Sequence, residues 1–344
     1  MSPNPVLFTK CSLRLSGKFN LDEESDVTSI CFLRNRPDLM FVAASESIHL
    51  MDRRQFNASI ETLAFNQDEI NQVTLNEKEE FLAACDDSGE IKIINVASKR
   101  VFKTLRKHTN LCAAVTFRPK RPWDLLSGGY DQRLIQWDFS RHKAFCDINI
   151  AEVGVDPSKF DQYTVNPPFI HSMSLSAGGS LLACGTENHL ILVFNASKKT
   201  LSYMTALRAH TAGVSQVHFP AFDDYALLSG GNDGVINVWQ LNSVAETYHC
   251  NGYSESPASS GTGPAAAGAG HQPAAESAVD DDVISVDDGD DAAGSGVPSA
   301  PRPWHGIQHG EKINWISTGV TSTRKYIVVA DSSSVPTVYP YVEQ

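Results

Sequence analysis

Serine, histidine and aspartate occur twice in this chain at one fixed spacing, with histidine 19 residues before serine and aspartate 4 residues after it. In a hydrolase such residues form a nucleophilic triad, in which histidine takes the serine proton and aspartate holds the histidine. An active site occurs once in an enzyme, whereas this set recurs and its aspartate lies in a tight turn. We therefore interpret the set as structural. Its two copies are His108, Ser127 and Asp131, and His210, Ser229 and Asp233.

Other chemical signatures are missing from the sequence. There is no phosphate-cradling GxxxxGK[ST], no HExxH and no GxSxG elbow. The seven cysteines are dispersed without a CxxC pair, which indicates reduced thiols in the cytosol or nucleus rather than disulfides or zinc. Cys85 and Cys184 stand where small buried strand residues are expected. We predict a non-enzymatic protein with no metal, no other cofactor and no small-molecule substrate.

The serine and aspartate belong to a segment that repeats along the chain, each copy ending in a large apolar residue. Successive copies end 43, 43, 57, 45 and 100 residues apart, and a period near 40–45 residues is typical of four-stranded propeller blades. Within a copy, residues alternate with period two around turns such as Asn232-Asp233-Gly234, a strong hairpin signal. The sequence thus predicts an all-β propeller. The final apolar residues are Met51, Ile94, Trp137, Phe194, Trp239 and Tyr339.

Two insertions explain the long steps. The step of 57 residues holds one around residues 142–168. Within the step of 100, Asn251–Ala300 has no Lys or Arg and carries nine of the twelve net negative charges. Such a composition cannot bury enough apolar surface to offset its ordering entropy, so it predicts disorder. The expected organisation is a propeller over 1–245, an acidic insertion within a blade-to-blade loop over 246–304, and the last blade over 305–344.

The repeats resemble those of the WD40 family, especially in the segments Gly128–Asp138 and Gly230–Trp239. In that family a histidine, a serine or threonine, the turn aspartate and the tryptophan form a buried hydrogen-bonded relay. The resemblance adds Trp137 and Trp239 to the two sets above. A finer similarity to the WD repeat-containing protein 53 group is carried by Asp86–Ile93, His210–Val217 and His309–Trp315.

The number of blades is left open by the sequence. Members of that group resemble seven-bladed rings with a complete blade before the strand that begins near Asp26, but only about 25 residues precede it here. Six repeats are visible. The stretch Val6–Leu15 supplies the outer strand of the last blade and closes a six-bladed ring, or it is the last strand of an incomplete first blade.

Two Asp-Arg pairs are candidate docking residues for the adaptor subunit of cullin-4 ubiquitin ligases. In WD40 substrate receptors of those ligases, the pattern Trp-Asp-x-Arg closes a blade and docks the adaptor. Asp52 and Arg54 match that pattern with Met51 in the tryptophan position, while Asp138 and Arg141 match it with the arginine displaced by one. The alternative interpretation of each pair is a solvated arginine after a strand.

Two further segments are candidates for binding. Val283, Ile284 and Val286, flanked by aspartates, resemble a SUMO-interacting motif, in which a short strand is added to a sheet edge; the alternative is a solubilising loop. A basic series forms either a patch for an acidic partner or ordinary loop charge. Its members are Lys99, Arg100, Lys103, Arg106, Lys107, Arg118, Lys120 and Arg121.

A propeller presents loops on two broad faces, which suits binding of proteins. We therefore expect an interaction scaffold, and specifically a cullin-4 substrate receptor; the alternative is an assembly platform in a chromatin or trafficking complex. The net charge of −12 argues against direct nucleic-acid binding. No run of 18 apolar residues and no secretory signal is found, which predicts a soluble protein of the cytoplasm, the nucleus or both.

Overall fold

The computed structural model describes residues 26–55, 59–141, 143–153, 166–208, 210–244, 301–333 and 335–341. Within these residues the chain forms six antiparallel sheets. The strands of the first three sheets are β1 (Val27–Phe32), β2 (Leu39–Ala44), β3 (Ser47–Asp52), β4 (Glu61–Leu63), β5 (Ile70–Leu75), β6 (Phe81–Asp86), β7 (Glu90–Asn95), β8 (Arg100–Arg106), β9 (Cys112–Phe117), β10 (Asp124–Gly129), β11 (Arg133–Asp138) and β12 (Lys143–Asn149).

The remaining three sheets continue the same order. Their strands are β13 (Ile170–Leu175), β14 (Leu181–Thr186), β15 (Leu190–Asn195), β16 (Ser202–Arg208), β17 (Val214–His218), β18 (Ala226–Gly231), β19 (Val235–Gln240), β20 (His305–Gln308), β21 (Trp315–Val320), β22 (Lys325–Ala330) and β23 (Thr337–Pro340). Five sheets have four strands, and the sixth, β21–β23, has three within the described residues. The prediction of an all-β propeller with six visible repeats is confirmed.

Each predicted apolar end residue lies on the third strand of its sheet, as Met51 does on β3 and Trp239 on β19. In the second to fifth sheets the second strand is buried along its whole length, because it is covered by a neighbouring sheet on each side. Cys85 and Cys184 lie on two of these strands with no exposed surface, as predicted. The period of about 43 residues therefore corresponds to one sheet, or blade, of the ring.

Apolar clusters join consecutive blades from the first to the sixth. One cluster, for example, packs Leu207 and Val193 of blade 4 against Val217 and Trp239 of blade 5. The innermost strands are also tied by hydrogen bonds: the Val73 amide donates to Ser29 Oγ at 3.1 Å, and the Val115 amide donates to Gln72 Oε1 at 2.7 Å. Each bond satisfies a buried amide of the next blade. These contacts hold consecutive blades side by side around the propeller.

Apolar clusters of the described residues connect the blades in order from the first to the sixth. Among the described residues, no apolar cluster joins blade 6 to blade 1. Both predictions for Val6–Leu15 concern residues outside the described ranges. Blade 6 is also less covered than the others, since alternate residues of β22 are only half-buried.

Two boundaries differ from those expected from the sequence. Strand β20 pairs with β19, so His305–Gln308 completes blade 5 and the acidic stretch separates the third and fourth strands of that blade. The sequence alone suggests a blade-to-blade loop for this stretch, because the short segment HGIQ carries no clear strand pattern. Similarly, Lys143–Asn149 forms the outer strand of blade 3, which narrows the insertion expected at residues 142–168.

Candidate partner-binding site

The up-and-down path of each blade divides its loops between two faces. Loops that join the first strand to the second and the third to the fourth form the lower face; the other loops form the upper face. In the described loops between strands, the lower face holds 14 Lys and Arg residues against 6 Asp and Glu residues. The upper face holds 2 Lys and Arg residues against 10 Asp and Glu residues. The lower face therefore suits acidic partners.

Asp52 and Arg54 form a fork on the lower face of blade 1. Asp52 is the last residue of β3 and is buried, whereas Arg54 lies in the loop that follows. Arg54 Nε donates to Asp52 Oδ1 at 2.9 Å and Nη2 donates to Oδ2 at 2.7 Å. The Arg54 amide also donates to Oδ1. Paired bonds of this kind fix the plane of the guanidinium group.

Asp38, from the preceding loop of the same blade, completes this arrangement. Its Oδ2 lies 3.4 Å from Arg54 Nη1, and its Oδ1 accepts a hydrogen bond from Arg53 Nε at 2.8 Å. Even so, 65% of the Arg54 side chain is exposed. Hydrogen bonds from the Arg54 side chain and backbone lower the pKa of Asp52 to about 2, so the carboxylate is ionised at neutral pH. The result is an oriented and accessible cation.

The second predicted pair is arranged differently. Ser140 Oγ donates to Asp138 Oδ1 at 2.5 Å and the Ser140 amide donates to the same oxygen. Arg141 Nε is 3.6 Å from Asp138 Oδ2, beyond hydrogen-bond distance, and its side chain is 82% exposed. Because serine takes the carboxylate oxygen that orients the arginine in blade 1, the structure orders Arg54 but leaves Arg141 loosely held.

The basic series does not form one continuous patch. Arg118 is buried, while Arg106 and Lys107 lie at the upper end of β8 and pair with Glu90 and Asp147. Lys99 is paired with Glu61. Of the two alternatives given by the sequence, a single patch of all eight residues does not fit, because strand β8 carries its charges to both faces. The members that remain on and near the lower face are Lys99, Arg100, Lys103, Lys120 and Arg121.

The structure brings together both sets of relay residues inside their blades. His108 Nδ1 lies 2.9 Å from Asp131 Oδ2, and its Nε2 lies 2.7 Å from Ser127 Oγ. A carboxylate only accepts, so Nδ1 donates to it and Nε2 accepts from the serine hydroxyl. Trp137 Nε1 in turn donates to that hydroxyl at 2.8 Å.

The second relay repeats these contacts. His210 Nδ1 lies 3.1 Å from Asp233 Oδ1, and its Nε2 lies 2.8 Å from Ser229 Oγ. Trp239 Nε1 donates to the Ser229 hydroxyl at 2.9 Å. Ser127 and Ser229 have no exposed surface. Their hydroxyls are therefore closed to any substrate, which agrees with the structural interpretation.

Three other blades use variants that the sequence analysis missed. Asn66 donates to Asp86 at 2.7 Å, and Asn166 donates to Glu187 at 3.1 Å. In blade 6, His309 Nε2 lies 2.8 Å from Asp331, and its Nδ1 accepts from the Tyr339 hydroxyl at 2.8 Å. The available signal was positional: Asn66 and Asn166 stand four residues before an inner strand, as His108 and His210 do.

The relay aspartates predict a dependence of stability on acid. Burial raises the pKa of Asp131 and Asp233, but hydrogen bonds from the histidines and from backbone amides outweigh it and leave both pKa values below the ordinary one. A lowered folded-state pKa gives stability that is present above the unfolded pKa of about 3.9 and is lost as the pH falls through the folded value. We expect the free energy of unfolding, measured by urea denaturation, to fall below about pH 4.

The matched variant for this prediction is Asp233→Asn, which removes the titrating group but keeps its shape. It should be less stable than the wild type at pH 7, and the difference between the two should shrink as the pH falls from about 4 to 2.5. A difference that stays constant over this interval would contradict the assignment.

Some predicted features lie beyond the described ranges or have no counterpart within them. Val283, Ile284 and Val286 fall outside the described residues. Within the described residues, no group of His, Cys, Asp and Glu is arranged to hold a metal ion. The same part of the chain contains no helix with the length and apolar character needed to cross a membrane.

Comparison with known proteins relates this geometry to a family. The family model for the WD domain, G-beta repeat matches residues 99–138 and 201–240. Each match runs from the outer strand of one blade to the third strand of the next, β8–β11 and β16–β19, and each contains one complete relay. The chain is a β-propeller in which two blades match WD40 repeats. In this propeller the matched repeats are the two whose relays have the full set of histidine, serine, aspartate and tryptophan.

Several proteins are similar to this propeller in sequence. "WD repeat-containing protein 53 homolog" of Dictyostelium discoideum is 29% identical over 241 residues, which are 64% of this chain and 65% of that protein. "Ribosome biogenesis protein ytm1" of Neurospora crassa is 36% identical over 70 residues, 20% of this chain and 14% of that protein. "Protein SLOW WALKER 1" of Arabidopsis thaliana is 25% identical over 124 residues, which are 36% of this chain and 23% of that protein. The chain thus spans less than two thirds of each. The predicted resemblance to the WD repeat-containing protein 53 group is confirmed.

Proposed function

We propose that this WD40 propeller is a non-enzymatic substrate receptor that docks the adaptor subunit of a cullin-4 ubiquitin ligase through Arg54. The observation that carries the proposal is the fork between Asp52 and Arg54, which holds an exposed guanidinium in one orientation. A side chain that is already ordered loses little entropy when a partner binds. Arginine held in this way makes directional bonds to carboxylates and carbonyls of a partner.

The division of charge between the faces supports this function. The adaptor would bind the basic lower face, which carries Arg54, and the acidic upper face would stay free for a client protein. A rigid disc with two separate faces can hold both partners at once without moving. The similarity to the WD repeat-containing protein 53 homolog is consistent with this proposal but does not name an adaptor.

The proposal is tested by reversing the charge at Arg54. We expect Arg54→Glu to reduce the amount of adaptor that co-purifies with the full chain at least tenfold, because an interfacial arginine replaced by a carboxylate repels acidic partner groups. Quantitative immunoblotting of the adaptor measures the change. The matched control is Arg53→Glu, since this neighbouring arginine is exposed on the same face. Unchanged recovery of the adaptor with Arg54→Glu would refute the role of this residue.

The second candidate function is an assembly platform without a role in ubiquitin transfer. It is supported by the similarity to proteins named for ribosome biogenesis, although this covers a small part of those proteins. The same purification separates the two functions. A wild-type chain that recovers a stable set of proteins but no adaptor would favour the platform.

A further inference from the structure

A cluster of aromatic rings closes the lower end of the seam between blades 2 and 3. Phe81 packs against Phe102, Trp123 and Phe139 with ring centroids 5.1, 5.6 and 5.4 Å apart. Trp123 also contacts Phe139 edge-on at 5.3 Å. Rings at such distances and tilts attract one another beyond their burial, so the cluster is rigid.

The outer part of this cluster is exposed to solvent. Phe102 is 40% exposed, Trp123 is 42% exposed, and the adjacent Val101 is 37% exposed. Phe81 and Phe139 lie beneath them and are buried. Large side chains that are exposed but firmly supported lose little freedom on binding, and tryptophan is enriched among the residues that dominate interface energies. Contiguous apolar surface of this kind marks a contact site.

Several basic residues belong to the strand and the loops that carry the exposed rings. Lys103 Nζ lies 5.6 Å from the centre of the Phe102 ring, and Arg100 begins the same strand. Lys120 and Arg121 precede Trp123 in its loop, and Arg141 follows Phe139 in the next. Arg121 donates to backbone carbonyls of blade 4 rather than to an acid. The patch therefore combines an apolar centre with a positive rim.

We propose that Val101, Phe102 and Trp123, together with this rim, bind an acidic peptide segment of a partner protein that also carries large apolar side chains. The apolar side chains cover the three exposed residues, and the carboxylates meet the basic rim. A single-stranded nucleic acid fits the patch less well, because bases need free ring faces for stacking. Here Lys103 lies over the face of Phe102, and the Trp123 ring is in contact with three other rings. The patch is separate from Arg54 and does not depend on the proposed function.

The test measures binding of a labelled probe to the full chain by fluorescence anisotropy. The probe is a 12-residue peptide in which aspartate alternates with leucine and phenylalanine; the control peptide has lysine in place of aspartate. We expect the acidic probe to bind and the lysine peptide not to bind. Trp123→Ala should weaken binding of the acidic probe about tenfold, and a rise in salt should weaken it further.

Three variants separate the patch from folding and from the other proposed site. Lys103→Glu changes only the rim and should also weaken binding about tenfold. It therefore tests the patch independently of any loss of stability in Trp123→Ala. Trp304→Ala is the matched control, because Trp304 is equally exposed on the lower face of blade 5. Neither Trp304→Ala nor Arg54→Glu should change the affinity. Thermal unfolding of each variant shows that the fold is retained.

Four results would overturn the proposal. One is equal affinity of wild type, Lys103→Glu and Trp123→Ala for the acidic probe. A second is equal binding of the lysine peptide. A third is tighter binding of a labelled oligouridylate that Trp123→Ala abolishes, which would assign the patch to nucleic acid. The fourth is binding only after Asp280, Asp281, Asp282, Asp287 and Asp288 are all changed to Asn, which would assign the patch to the chain's own acidic stretch.

Discussion

Replacement of His210 by alanine is expected to destabilise the protein by about 3 kcal/mol. The imidazole bridges Asp233 and Ser229, and its side chain has no exposed surface. Its removal leaves a mostly buried carboxylate and a buried hydroxyl without their partner and opens a cavity beside Trp239. A buried polar group without a partner costs about 1–3 kcal/mol, and the cavity adds to this. Urea denaturation of the full chain measures the loss.

The control for this variant comes from the same position in blade 4. Asn166 precedes its inner strand by four residues, as His210 does, and donates to Glu187 at 3.1 Å, but Asn166 is exposed. Asn166→Ala should therefore change the free energy of unfolding by less than about 0.5 kcal/mol. Equal losses for the two variants would mean that burial of the relay does not matter.

Replacement of Arg118 by methionine is expected to cost about 3–5 kcal/mol, the range found when one partner of a buried ion pair is removed. Arg118 is 3% exposed. Its Nη1 donates to Asp124 Oδ2 at 2.9 Å, and its Nη2 donates to the Lys198 carbonyl at 2.8 Å. It thus ties the lower loop of blade 3 to that of blade 4. Burial lowers the pKa of Arg118 and raises the pKa of Asp124, and the opposite charge of the partner counteracts each shift. The ionised form of each group is therefore stabilised by the other.

A double variant distinguishes the buried charge from the lost contacts. Arg118→Met with Asp124→Asn removes both charges while Gln136 can still donate to the side chain at position 124. We expect the double variant to be about 1–2 kcal/mol more stable than Arg118→Met alone. Arg121→Met is the surface control, with an expected effect within about 0.5 kcal/mol. A double variant as unstable as the single one would show that the carbonyl contacts, not the charge on Asp124, explain the loss.

The repeat pattern determined the fold because each blade is specified locally. Strand alternation, Asp-Gly turns and the final apolar residue recur every 43 or so residues, and each blade pairs only with itself and packs only on its neighbours. The same local rule places His108, Ser127, Asp131 and Trp137 in one blade. It also explains the error at His305–Gln308, since an outer strand carries few buried residues and hence little signal.

Tertiary structure decided the chemistry of the charged and exposed residues. The sequence offers both Arg54 and Arg141 as docking candidates, and the folded loops show that Asp52 holds Arg54 whereas Ser140 occupies the Asp138 carboxylate. It likewise groups Arg118 with surface lysines, although the next blade covers it. The exposed rings of Phe102 and Trp123 meet across a blade seam and are 21 residues apart in the chain. Periodicity along a strand reports which face is covered, but only packing between blades fixes the partners of a loop side chain.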